Sequence, residues 1–199
     1  MKTFENIEVA YIESCKHILN NNGKVVNLIY KIKSFQEKRD KLLTIHLRYF
    51  GKYYYNDCIR SLTTHIANTQ FEFSYFNRLT KDINQIKLIN EKINRNPSTR
   101  KLILTTTKPE IDLRNIITPC LILIEFIQLQ NKKFSVTVVF RAHDYGRRAL
   151  YNFIAFQKFF SLYFSNLDIS EIVFHSINAY IENRDIEKIN KILSEYEKT

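Results

Sequence analysis

The segment Asn152-Phe153-Ile154-Ala155-Phe156-Gln157-Lys158-Phe159-Phe160-Ser161-Leu162-Tyr163-Phe164 is apolar around nearly its whole circumference when wound as a helix. A helix without a broad polar face is buried. The stretches on either side of it read as strands. Cys120 to Gln130 and Lys133 to Arg141 are rich in β-branched and aromatic residues, and Gln130-Asn131-Lys132 between them reads as a hairpin turn. Ile172 to Ile177 is a further strand. The spacing thus predicts a helix over 152–164 buried at the centre of a sheet protein.

The rest of the chain adds helices and strands in no regular βαβ rhythm. Ile7, Ala10, Tyr11, Cys15, Ile18 and Leu19 recur at helical spacing, and Asn20-Asn21-Asn22-Gly23 reads as a stop. Val25 to Lys33 is strand-like. Tyr49 to Ile66 is ambiguous and reads as helical after Gly51. Phe71 to Tyr75 reads as extended. Asp82 is placed to cap a helix with Ile83, Ile86, Ile89 and Ile93 on one face, ended by Asn96-Pro97. Lys101 to Thr107 reads as a strand and Asp185 to Tyr196 as an amphipathic helix. With no repeat or linker, the expectation is a single α/β (α+β) mixed-sheet domain over residues 1–199.

Composition bounds the function. Among 199 residues 45% are apolar, enough for a sizeable core, and only 3 are Gly, each standing alone, so no Gly-rich phosphate loop exists. Cys15, Cys58 and Cys120 are odd in number and widely spaced, and the five histidines show no ligand spacing. That argues against a disulfide framework and against a metal site. No long uncharged apolar stretch or apolar leader is present, so a reducing cytoplasm, with no membrane association, is the expectation. The net charge of +10 suits anionic partners, or reflects a Lys-rich bias. Nucleic acid is a possible partner, but no nucleic-acid module is visible.

Chemistry centres on Thr118-Pro119-Cys120. A strand cysteine is most often a small hydrophobe; as a nucleophile it needs a nearby cation. Arg141, closing the partner strand, is placed to supply one and to lower the thiol pKa. Asp144 follows in Arg141-Ala142-His143-Asp144. Asn152 offers both a donor and an acceptor, or serves as an N-cap. Arg100-Lys101 is a basic pair, or a solvated one.

Pro119-Cys120, Arg141-x-x-Asp144 and Asn152, in that order, resemble the thymidylate synthase family over roughly residues 71–193. The resemblance implies Cys120 as the nucleophile on a pyrimidine nucleotide and Arg141 as contact to cysteine and phosphate. It implies Asn152 as the reader of a uracil-type base, and Arg100 and Lys101 as basic residues offered across a homodimer to the phosphate. The implied reaction transfers a one-carbon unit from methylenetetrahydrofolate to carbon 5, as a methyl or hydroxymethyl group. Tyr180 and Glu182 stand where the family has the His and Tyr that bind the deoxyribose, and Ala142 where it has a phosphate-holding serine. Glu182 would suit a ribose. No counterpart of the family's catalytic Glu stands between Leu42 and Thr69; Glu72 is the nearest carboxylate. The chain stops short of the family's C-terminal extension. A degenerate homologue that binds nucleotide, nucleic acid or protein therefore stands as the alternative to an enzyme.

Overall fold

The computed structural model describes residues 1–35, 40–65, 74–115 and 118–198. Their frame is one mixed seven-stranded sheet. In chain order its strands are β1 (Lys2–Phe4), β2 (Lys24–Ile32), β3 (Ile103–Thr105), β4 (Leu121–Gln128), β5 (Phe134–Phe140), β6 (His143–Asp144) and β7 (Ile169–Tyr180). The spatial order is β1-β2-β7-β5-β4-β3, with β6 pairing β7. β4 and β5 form the antiparallel hairpin read from the sequence, whereas β5 and β7 are parallel. Parallel neighbours need a crossover. The helix α7 (Ala149–Tyr163) makes it, which is why it is apolar.

Phe153, Phe156, Phe159 and Phe160 of α7 are fully enclosed. Phe153 and Phe156 lie 4.6 and 6.0 Å from the Phe174 ring of β7, and Phe160 lies 6.0 Å from Phe126 of β4. Each buried ring contributes roughly 2–3 kcal/mol. The helix is not sealed all round: Lys158, Ser161 and Leu162, the last 54% exposed, form a wet stripe near its C-terminal end. It also begins three residues before Asn152, so Asn152 is not its N-cap; Arg148 is.

The remaining helices are α1 (Ile7–Leu19), α2 (Lys41–Phe50), α3 (Lys52–Thr63), α4 (Tyr75–Thr80), α5 (Gln85–Arg95), α6 (Pro109–Asp112) and α8 (Ile186–Lys198). Gly51, at φ 72°, separates α2 from α3; a β-carbon there would be strained. Three local readings are corrected. Tyr75 is helical, because Ser74 accepts from the Asn77 N–H at 3.0 Å and caps α4; residues 71–73, and with them Glu72, lie outside the described residues. Asn84, not Asp82, caps α5 by accepting from the Lys87 N–H at 3.0 Å, and this leaves Ile83 exposed ahead of the helix. The strand expected over 101–107 is only β3. Among the described residues, no helix is long and apolar enough to cross a membrane.

Candidate active site

Cys120 directly precedes β4 and Arg141 directly follows β5. Leu121 pairs with Phe140, so Cys120 and Arg141 face each other at the mouth of the hairpin. The Arg141 N–H donates to the Cys120 carbonyl at 2.8 Å. Its guanidinium turns back along the chain, Nε donating to the Pro119 carbonyl at 3.0 Å and Nη2 to that of Thr118 at 2.8 Å. A positive charge is thereby fixed beside the thiol.

β6 runs against the end of β7, setting Asp144 opposite Tyr180. Asp144 Oδ1 accepts from the Gly146 N–H at 2.9 Å and the Arg147 N–H at 3.1 Å. A β-carbon on Gly146 would stand 3.1 Å from that same oxygen and 3.3 Å from Asp185 Cβ, so a side chain there would have to push Asp144 or Asp185 aside by a few tenths of an ångström. Arg147 and the buried Asp185 close the turn with an Nε–Oδ2 contact of 2.7 Å.

These elements enclose a cavity of about 320 Å³. Cys120, Arg141, Asp144, Asn152 and Tyr180 line it together with Ala142 and His143, and Asp57, Cys58 and Ser61 of α3, Tyr75 of α4 and Arg148 are also on its wall. A more open groove of about 550 Å³ adjoins it, carrying Lys24, Asn178 and Glu182. Cys120, Arg141, Ala142 and Tyr180 line both, so the thiol stands at the junction. Glu182 belongs to the outer groove alone.

Arg100 and Lys101 are not brought to this cavity. Both are exposed, and the pairing of Ile103 with Glu125 puts them at the far end of β4. Ser98 donates to Gln128 there at 2.8 Å, seven residues beyond Leu121, so roughly 23 Å of strand separates them from the thiol.

Electrostatics in the cavity are set by burial. Enclosure pushes the Cys120 thiol pKa up; Arg141 and then Arg148 pull against it, and Asp144 adds to the rise. The expected lowering by Arg141 is present but is outweighed. Burial also raises Asp144, against the two backbone N–H groups it accepts from, and lifts the Tyr180 phenol to about 12.

The sequence reading missed Asp57, Arg148 and His143. Arg148 Nη1 donates to Asp57 Oδ2 at 2.7 Å, which puts a carboxylate and a guanidinium on the wall facing Cys120. The signal for Asp57 was the face it shares with Ser61, four residues on, inside a stretch read as ambiguous. His143 Nε2 lies 3.3 Å from Asn152 Nδ2.

Fold and cavity together define a class: mixed-sheet proteins with a cysteine where an inner cavity meets an outer groove. The chain belongs to the thymidylate synthase family, whose model, described as "Thymidylate synthase", matches residues 30–199. Among its curated relatives is a protein from Methanosarcina barkeri named "Putative thymidylate synthase", 30% identical over 132 residues, 63% of this chain and 60% of that protein. Proteins of the same name from Methanosarcina mazei and Methanocaldococcus jannaschii are 27% and 28% identical over 128 and 155 residues. These alignments cover 62% and 72% of this chain, and 58% and 64% of those proteins. The chain spans about three fifths of the length of the curated relatives it matches.

Proposed function

We propose that the chain is a thymidylate synthase-type transferase that modifies carbon 5 of a uracil-type nucleotide through Cys120. The observation that carries this reading is the position of Cys120 at the junction of two compartments. The inner one holds the amide and carboxylates suited to a base. The outer one holds the cations Lys24 and Arg141, suited to a phosphate, together with Glu182, suited to sugar hydroxyls.

In this reading the Cys120 thiolate adds to carbon 6 of the ring. The electron pair of the 5,6 double bond moves onto carbon 5 and the carbonyl oxygen at carbon 4. The Asn152 amide donates to that oxygen and stabilises the charge gathering there. Asp57 and Asp144 are the carboxylates available for the accompanying proton transfers. Carbon 5 uses that electron pair for its bond to the one-carbon unit; loss of the carbon 5 proton to a carboxylate and expulsion of the Cys120 thiolate then restore the 5,6 double bond. Methylenetetrahydrofolate supplies, when bound, the one-carbon unit and the hydride that completes a methyl group. Of the inner cavity's lining, Asp57, Ser61 and Tyr75 are the residues that would meet a pterin's N–H donors.

The chain acts as one domain and, by the family's pattern, as a homodimer. Support for the dimer is the distance of Arg100 and Lys101 from their own cavity, and the exposure of Val26, Ile29, Ile103, Ile127 and Ile177 on the sheet. The degenerate-homologue reading is favoured by one observation, the raised thiol pKa. The test is mass spectrometry after incubation with a 5-fluorouracil nucleotide and methylenetetrahydrofolate. A covalent adduct on the Cys120 peptide is expected. Its absence, with the nucleotide still bound, would leave a binding protein.

A further inference from the structure

We propose that His143 is a specificity-determining residue: it holds the Asn152 amide in the one orientation that accepts uracil and refuses cytosine. The inference rests on the reading above, that a pyrimidine ring occupies the inner cavity.

His143 is 1% exposed. Its ring stacks on Phe140 at 4.0 Å between centroids and 11° between planes, and meets the edges of Tyr145 and Phe153 at 4.9 and 5.8 Å. The ring plane is therefore fixed. Each nitrogen has one partner: Nδ1 lies 2.9 Å from Ser176 Oγ, and Nε2 lies 3.3 Å from Asn152 Nδ2. Burial lowers the imidazole pKa to about 3, so the ring is neutral, with one donor and one acceptor.

An amide nitrogen can only donate. Nε2 must then be the acceptor, and Nδ1 carries the proton, donated to Ser176. Behind Ser176 the chain continues through buried hydroxyls, with Ser176 Oγ 3.3 Å from Tyr145 Oη and Tyr145 Oη 2.7 Å from Tyr30 Oη. With one amide N–H committed to His143, Asn152 presents Oδ1 and its second N–H to a ring in the cavity. Uracil matches that pair, since N3–H donates and O4 accepts. Cytosine reverses both, with a lone pair on N3 and an amino donor at carbon 4.

Reading cytosine would require the amide to flip. A flip sets Oδ1 against the Nε2 lone pair unless the proton crosses to Nε2. Nδ1 would then need the Ser176 hydroxyl as its donor, and the Ser176–Tyr145–Tyr30 hydroxyls must either all reverse their donor sense or give up one hydrogen bond. One buried hydrogen bond lost corresponds to about tenfold in affinity. The discrimination is thus stored in the tautomer of a histidine on the cavity wall that acts through the Asn152 amide.

The test has two arms. Nitrogen-15 NMR of the ligand-free protein reads the His143 tautomer; the Nδ1-protonated form is expected from pH 7.5 to 5. Calorimetric titration with uridine and cytidine 5′-monophosphates, ribo and deoxy, then compares wild type with His143→Ala and Ser176→Ala. Wild type should prefer uridylate, and each variant should lose about tenfold or more of that ratio while still binding through the phosphate. Ser176→Ala leaves the ring in place, so it serves if His143→Ala fails to fold. An Nε2-protonated or charged ring overturns the proposal, as does an unchanged ratio in the variants of a selective wild type. Failure of wild type to bind either nucleotide overturns the reading of the cavity as well.

Discussion

The reactivity of Cys120 follows from two opposed quantities, burial and the charge of Arg141. Burial dominates, so the thiol titrates above the ordinary cysteine range and is protonated at neutral pH. Arg141 sits across the strand pair, where neighbouring Cα atoms are about 5 Å apart. Its guanidinium is held by the Thr118 and Pro119 carbonyls, but the residue is exposed, so water screens it. At about 6 Å and an effective dielectric of about 40, Coulomb's law gives about 1.4 kcal/mol, about one pH unit. Arg141→Gln should therefore move the titration midpoint up by about one unit and slow alkylation at pH 7.5 about tenfold. The assay is the rate of iodoacetamide labelling of the Cys120 peptide against pH, read by mass spectrometry. Cys15, fully buried away from this cavity and with its thiol pushed up by burial, is the internal control and should label only on unfolding. A wild-type midpoint below 7, or one indifferent to Arg141→Gln, would refute the reasoning.

Two further outcomes are expected. His46 and His143 are buried and neutral, each held at about 3 against about 6.5 when unfolded. Below pH 6.5 the unfolded chain binds protons that the folded chain refuses. Stability should then be full above pH 6.5 and fall by about 1.4 kcal/mol per pH unit per histidine as the pH drops toward 3. Urea titrations between pH 7 and 4.5 check this, and His46→Gln should flatten the slope; an unaltered slope counts against it. Glu182→Ala should change the ribose-to-deoxyribose preference severalfold with little effect on phosphate affinity, as measured by calorimetry with uridylate and deoxyuridylate. Tight deoxyuridylate binding indifferent to Glu182 would show that the outer groove does not take the sugar.

Much of this was legible along the chain, and the failures have local causes. The β4–β5 hairpin and α7 announce themselves because each is long and apolar. α2 went unread, although Leu42, Ile45 and His46 are buried at helical spacing. It stands between residues 36–39, outside the described set, and Gly51, with no cap hydrogen bond to mark its start. β7 is twice the length expected: Ser170 and Glu171 precede the stretch read as strand and Asn178 follows it, and His175 and Ser176 within it are polar too. Two of those polar residues serve the site, Ser176 behind His143 and Asn178 in the outer groove. Asp57 was hidden for a different reason. A carboxylate on an amphipathic helix looks solvated until the residue opposite it, here Arg148 from a distant turn, is known.

The topology also accounts for the order of the site residues. β5 and β7 are parallel, so their carboxyl ends lie at the same edge of the sheet, where open α/β sheets bind ligands. β4 is antiparallel to β5, so its first residues arrive at that edge, and Cys120 comes immediately before them. Arg141 leaves β5 there, Asp144 follows in β6, and α7 must start there to make the crossover, which sets Asn152 in its first turns. β7 returns along the same direction and ends with Tyr180 beside Asp144. Cys120, Arg141, Asp144, Asn152 and Tyr180 therefore converge because each stands at an end of an element that the sheet brings to one edge. Arg100 and Lys101, which precede β3, enter the sheet from the opposite edge. No rearrangement within the chain that keeps the β3–β4 register can bring them to Cys120.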